Sequence, residues 1–267
     1  MQRAPRIFVI LATVLVAFLL GGCASGRSQD GVSALLPADA ILLGEQHDAP
    51  EHQQAHARAV RDLSSRGRLA ALVVEMADAG QTTAGLPPQA DEAAVRQALQ
   101  WNDKAWPWAA YGPAVMAAVQ AGVPVLGGNL PRVRFAAVMQ DETLDATLPP
   151  PALAAQRQAI RAGHCDLLPA TQLAPMARIQ IARDQSMARA LQAAARTGQV
   201  VLLLAGSGHV DRQLGVPQHL PAGFTVRAVR LQAGGTATAA PAFDTVWTTP
   251  ALPAKDHCTA LRQRLGR

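Results

Sequence analysis

AILLGEQHD, residues 40–48, decides the reading. An apolar run too short for a helix stops at Gly44 and presents Glu45 and His47 two residues apart. Such a run reads as a buried strand that ends in a polar site. In open α/β sheets ligands gather beyond the carboxyl ends of the strands, so other strands ending alike would mark one common edge. Three more do. Residues 72–74 run into Glu75, 123–126 into Gly127, Gly128 and Asn129, and 200–205 into Gly206, Ser207, Gly208 and His209. A glycine turn alone explains any one of these ends. The four together point to a site built from Glu45, His47, Glu75 and His209.

Helices alternate with these strands. Residues 51–65 have helical periodicity behind Pro50, with His52 and His56 one turn apart. The glutamate of an H-E-x-x-H zinc motif is missing, so His56 reads as a packing or solvated residue, while His52 is close enough to approach the site. Residues 81–88 read as loop, 91–100 as a short helix, 112–120 as a helix, and 172–197 as a long helix with Arg183 and Asp184 at its middle. A further strand is expected at 224–231 and a final helix at 258–265. Pro131 opens, and Pro149, Pro150 and Pro151 interrupt, a stretch (131–170) that reads as a helical insertion lying over the active edge of the sheet. Trp101, Trp106, Trp108 and Tyr111 crowd one segment. They either staple a helix to the core or form a flat wall for a planar ligand, with Tyr111 as a candidate iron ligand. The fold class expected is α/β, a mainly parallel sheet flanked by helices.

The amino terminus reads differently. A basic start precedes an apolar run, residues 7–20, too short to span a bilayer and suited to a secretory signal peptide over residues 1–22. Leu20, Gly21, Gly22 and Cys23 resemble a bacterial lipobox. That resemblance implies cleavage before Cys23, lipidation of its thiol, a tether over 23–33, and outer-membrane sorting from Ala24. The main domain is then 34–267. Removing 22 residues from 267 leaves 245, which suits one α/β domain, and an apolar content of 49% fills its core. Without Arg3 and Arg6 the net charge is 22 − 19 = +3. The cations are scattered over the helices and not interleaved with aromatics, so nucleic-acid binding is not indicated. Lipidation of Cys23 leaves Cys165 and Cys258, which are expected to pair in an oxidising compartment. A metal pair with His164 or His257 is the rival, although it lacks the ligand number of zinc sites.

The runs ILLGEQHD, VVEM, W-P-W-x-x-Y-G-P, GGNLPR, GHCDLLP, ARDQSMA and LLLAGSGHVDRQLGVP, in this order, resemble the ChaN-like family of haem-binding lipoproteins of the Tiki superfamily. That superfamily is similar to the erythromycin esterases and includes metal-dependent hydrolases. The resemblance implies a parallel sheet with flanking helices, a small helical domain, and non-covalent haem at a homodimer interface in haem and iron uptake. On this reading Tyr111 or His164 ligates the iron, Arg132 meets a propionate, and Asn129 and Arg183 are further ligand contacts. No C-x-x-C-H is present for covalent attachment. The alternative is a hydrolase in which Glu45, His47, Glu75 and His209 act as acid and base, or Glu45, His47 and His209 bind a divalent metal.

Overall fold

The computed structural model describes residues 31–235 and 241–264. The expected signal peptide and Cys23 lie outside them. Six strands, β1 (Ala40–Glu45), β2 (Leu69–Asp78), β3 (Val125–Asn129), β4 (Val200–Gly206), β5 (Val226–Ala233) and β6 (Thr245–Thr249), form one sheet ordered β3-β2-β4-β1-β5-β6. Every strand pairing in it is parallel. The protein is an α/β fold. β1 and β4 lie at the centre and are buried along their whole length, as continuous apolar runs covered on both faces require. β6 was not anticipated: its sequence, TVWTT, is half-buried and threonine-rich, as an edge strand is, and carries no apolar run.

Successive side chains divide between the two faces. Ile41, Leu43, Leu72, Val74, Leu202 and Leu204 pack under α1 (Pro50–Ser65) and α3 (Trp108–Gln120), which follows the short α2 (Glu92–Ala98). Leu42, Val73, Val201 and Leu203 pack under Met187 and Leu191 of α6 (Ala170–Ala194). Residues 131–170 contain α4 (Phe135–Gln140), α5 (Pro150–Gly163) and two 3-10 turns. They rest on the first half of α6, where Leu130, Val138, Leu144 and Leu148 meet Ile179 and Ile181, and Ile160 meets Leu173 and Ala177.

Three boundaries differ from expectation. Val32, assigned to the tether, is buried in the core, and the Ser33 hydroxyl donates to Asp62, so the folded body begins inside that stretch. β2 continues to Asp78, yet its pairing with β4 ends at Val74 opposite Leu204, so Glu75 stands where the ladder stops. Gly127, Gly128 and Asn129 lie within β3 rather than in a turn after it. The β2–β3 register shifts between Val74 and Asp78, and a Cβ on Gly127 would fall 2.0 Å from the Asp78 carbonyl oxygen. Only glycine allows that approach.

Cys165 and Cys258 form a disulfide that ties the turn after α5 to the last helix, α8 (His257–Arg264). No described side chain of α8 is buried. Its other attachments are exposed ones, Lys255 on Asp48 and the His257 Nε2–H donated to the Gly163 carbonyl. Closing a loop across 93 residues stabilises a fold by about 2 to 5 kcal/mol. In a chain starting at Gly31, reduction is expected to expose the segment after Thr249 to limited proteolysis while the far-UV circular dichroism of the core persists. Two reactive thiols in the denatured, unreduced protein would refute the bridge.

Candidate functional site

The site begins with a carboxylate at the end of the central strand. Glu45 is almost completely buried, and a buried charge must be matched by donors. Its Oε1 accepts from Tyr111 Oη of α3 at 2.6 Å and lies 2.6 Å from His47 Nδ1. Its Oε2 accepts from Gln53 Nε2 of α1 at 2.7 Å. His56, one turn further along α1, brings Nδ1 to 3.5 Å from Oε2, too far for a hydrogen bond, and neither of its ring nitrogens has a partner.

A second carboxylate stands beside the first. Glu75 Oε2 accepts the Gly206 N–H at 2.7 Å, and Oε1 accepts from Arg183 Nη2 at 2.5 Å. His209 Nε2 lies 3.6 Å from Oε1 and His47 Nε2 lies 4.0 Å from Oε2, so two imidazoles flank this group. His209 is in turn held by Asp184, Nδ1 to Oδ1 2.6 Å. Arg183 is fixed by Asn129 Oδ1 at 2.9 Å and Gln180 Oε1 at 3.2 Å. The structure therefore brings together Glu45, His47, Glu75 and His209, the four residues read from the strand ends. They border a cleft of about 340 Å³ roofed in part by Gln156 and Ala159 of α5, so the insertion does stand over this edge. Gly206 is needed for the close packing: a Cβ there would fall 2.9 Å from His47 Nε2.

Other expected site residues fall elsewhere. Tyr111 is buried, with its hydroxyl committed to Glu45, and forms no exposed wall. The aromatic cluster is a staple, in which Trp106 meets His47 edge-to-face at 4.9 Å and Trp101 meets Trp108 at 5.0 Å. Arg132 is exposed, and the cation that meets Glu75 is Arg183 instead. Asn129 and Arg183 are tied into the Glu75 network. His164 caps α5, outside the lining of the cleft, with Nδ1–H donated to the Ile160 carbonyl at 2.8 Å. His52 turns away from the cleft, accepting the Gln46 N–H and meeting Thr249 Oγ1 of β6. Among the described residues no three His, Cys, Asp or Glu side chains are arranged to hold a metal ion. Both oxygens of Glu45 are already engaged, Oε1 by Tyr111 and His47 and Oε2 by Gln53, and Glu45, His47 and His209 are not arranged together as a metal site here. Gln53 escaped the sequence reading, while His56, read as a packing or solvated residue, and Asp184, noted only by its place on the long helix, turn out to belong to the site. Gln53 and His56 are polar residues on the core-facing stripe of α1, and Asp184 is a charge in the buried middle of α6. A polar residue on an apolar stripe was the signal for each.

The electrostatics follow from these contacts. Burial opposes ionisation of Glu45, but His47, Tyr111 and their neighbours outweigh it and hold the carboxyl below its usual range. Burial likewise opposes Glu75, and His209, Arg183, His47 and the Gly206 N–H bring it down to about 2. His47 is raised, because Glu45 and Glu75 overcome its desolvation and the nearby Arg183. For His56 burial outweighs the nearby Glu45 charge and, with His52 and His47, lowers it to about 4. It is neutral at neutral pH, so any help its charge gives Glu45 is confined to acid.

The sign of the pH dependence is fixed by these directions. His56 binds a proton when unfolded below about pH 6.5 but when folded only below about 4, so stability falls as pH drops through that window. His47 acts outside it: its raised value gives a contribution that is complete below 6.5 and lost only as pH rises above. The depressed carboxylates lose their contribution below about 4.5. In urea titrations between pH 6.5 and 4.5, His56→Leu is expected to reduce the loss of stability by about 2 to 3 kcal/mol. An unchanged slope in the variant would contradict a neutral, buried His56.

The family described as "Haem-binding uptake, Tiki superfamily, ChaN" matches residues 32–220. A solved structure described as cofacial haem binding to ChaN of Campylobacter jejuni is similar at 25% identity and a TM-score of 0.66, covering 79% of this chain and 88% of that one. The type III effector HopBA1 is more distant, at 14% identity and a TM-score of 0.47 over 80% of this chain and 88% of its own. No curated protein matches the sequence. With the match extending over all strands from β1 to β4 and over the whole insertion, the chain belongs to the ChaN family of the Tiki superfamily.

Proposed function

We propose that this protein is an exported, lipid-anchored haem-binding protein of the outer membrane that serves haem and iron uptake, with His164 as the iron ligand. Family membership supports haem as the ligand. One observation carries the choice of residue. The Nδ1–H of His164 is tied to the Ile160 carbonyl, which leaves the lone pair on Nε2 and fixes the ring, the arrangement in which a histidine ligates a metal. Tyr111 does not fit that role, because its hydroxyl is buried and donates to Glu45. The cleft does not fit a porphyrin either, being lined by Glu45, His47, Glu75, Arg183, Asp184 and His209. If haem binds at His164, the imidazole would supply a nitrogen ligand to its iron. The chain's part is to hold that nitrogen and, with the exposed Arg132, a propionate. Because His164 is only half-buried and Arg132 is exposed, one chain encloses the macrocycle incompletely, which supports a second copy as the other wall. The lipobox and Ala24 support the anchor and the sorting.

A second reading rests on the cleft. Two histidines, each oriented by a carboxylate at 2.6 Å, flank Glu75 in the geometry of general acid–base pairs acting on a water, the hydrolase alternative in a form needing no metal.

One set of variants separates the two. His164→Ala is expected to abolish the Soret shift on haemin titration, while Tyr111→Phe keeps it. Loss in Tyr111→Phe alone would reverse the assignment. Hydrolysis of an activated ester, if it depends on the cleft, should fall by about 10²-fold or more in His209→Ala and be unaffected in His164→Ala. Equal rates in wild type and His209→Ala would reject the second reading.

A further inference from the structure

His47 borders a second cavity besides the polar cleft. On its other side a groove of about 550 Å³ runs between α1 and α3, within the range of roughly 300–1,000 Å³ typical of small-molecule sites. Ala57 of α1 and Ala109, Ala110 and Pro113 of α3 form an apolar strip along it, with Gln53 and Gln54 of α1 beside that strip. Arg58 and Arg61 stand on its rim, three residues apart on the same helix and therefore on one face. Both are exposed, and neither is ion-paired among the described residues. The acid in the lining, Asp48, is already matched by Lys255 at 2.9 Å. What remains is a partly apolar trough whose two arginines have no ion-pair partner among the described residues.

We propose that this groove binds an amphipathic carboxylate, its anion on Arg58 and Arg61 and its apolar body laid along Ala57, Ala110 and Pro113 toward His47. Two guanidiniums suit a carboxylate because each presents paired N–H donors in a plane. The alanine and proline strip suits a hydrocarbon body, and Gln53, the buried amide beside it, is already committed to Glu45. The ligand's far end meets the imidazole that Glu45 and Trp106 hold in place, so occupancy of the groove is felt at the cleft. The site is separate from the insertion and does not depend on haem.

Titration calorimetry of the full chain with octanoate, octanol and octylammonium tests the proposal. Octanoate is expected to bind, octanol to bind at least about tenfold more weakly, and octylammonium not to bind. The double variant Arg58→Ala, Arg61→Ala, at two exposed positions, should weaken octanoate by at least about tenfold, while Arg196→Ala, Arg227→Ala, also at exposed positions, should leave it unchanged. Haemin should give the same Soret shift in wild type and in the Arg58/Arg61 double variant. Absence of octanoate binding, equal binding of octanol, or full affinity in the Arg58/Arg61 variant would overturn the assignment. Loss of the haemin shift in that variant would make the groove part of the haem site and overturn its separateness.

Discussion

The architecture depends on a charge buried at the end of its central strand. Removing a carboxylate from water costs several kcal/mol, and only close donors offset it. Glu45 draws its donors from three places, Gln53 on α1, Tyr111 on α3 and His47 in the loop after β1. Glu75, on a neighbouring part of the same edge, draws on α6 through Arg183 and on β4 through the Gly206 N–H. The helices on both faces of the sheet are thereby held to one edge by two carboxylates, and His47 lies between them. Hydrophobic packing of leucines and valines would accept small slips of a helix along the sheet; these hydrogen bonds do not.

The same constraint separates two kinds of chemistry. A cleft saturated with paired charges is suited to moving protons and unsuited to a large apolar macrocycle. Haem, the ligand named in the family's description, is therefore not what this lining is built to hold. Tyr111 illustrates the division. Aromatic and near other aromatics, it reads as a haem ligand in sequence, but its hydroxyl closes the hydrogen-bond shell of Glu45 and its ring packs in the core.

Much of this was legible in the sequence. The uninterrupted apolar runs of β1 and β4 announced central parallel strands, and polar residues directly after them marked the edge. Glu45, His47, Glu75 and His209 could be grouped because each follows such a run. β6 was not legible, since a threonine-rich edge strand has no apolar pattern. The glycines after Leu126 suggested a turn, whereas the structure uses Gly127 to let β3 pass close to the Asp78 carbonyl. Charge alone does not say which arginine meets the carboxylates, and Arg132 is as much a cation as Arg183. Only the packing of α6 across the sheet chose Arg183, and such a choice between two cations far apart in sequence is made by tertiary contacts. His56 could be read as packing from its place on α1, but its position beside Glu45 without a hydrogen bond is likewise set by tertiary contacts.

The central claim is that Glu45 is ionised in the core and organises His47 against Glu75. The most direct test is the titration of the His47 imidazole by NMR in the wild type and in Glu45→Gln. The account predicts a wild-type midpoint above the ordinary imidazole value of about 6.5 and a clear fall in the variant, where the amide keeps the shape but removes the charge. A wild-type midpoint at or below that value, or one unmoved by Glu45→Gln, would contradict it.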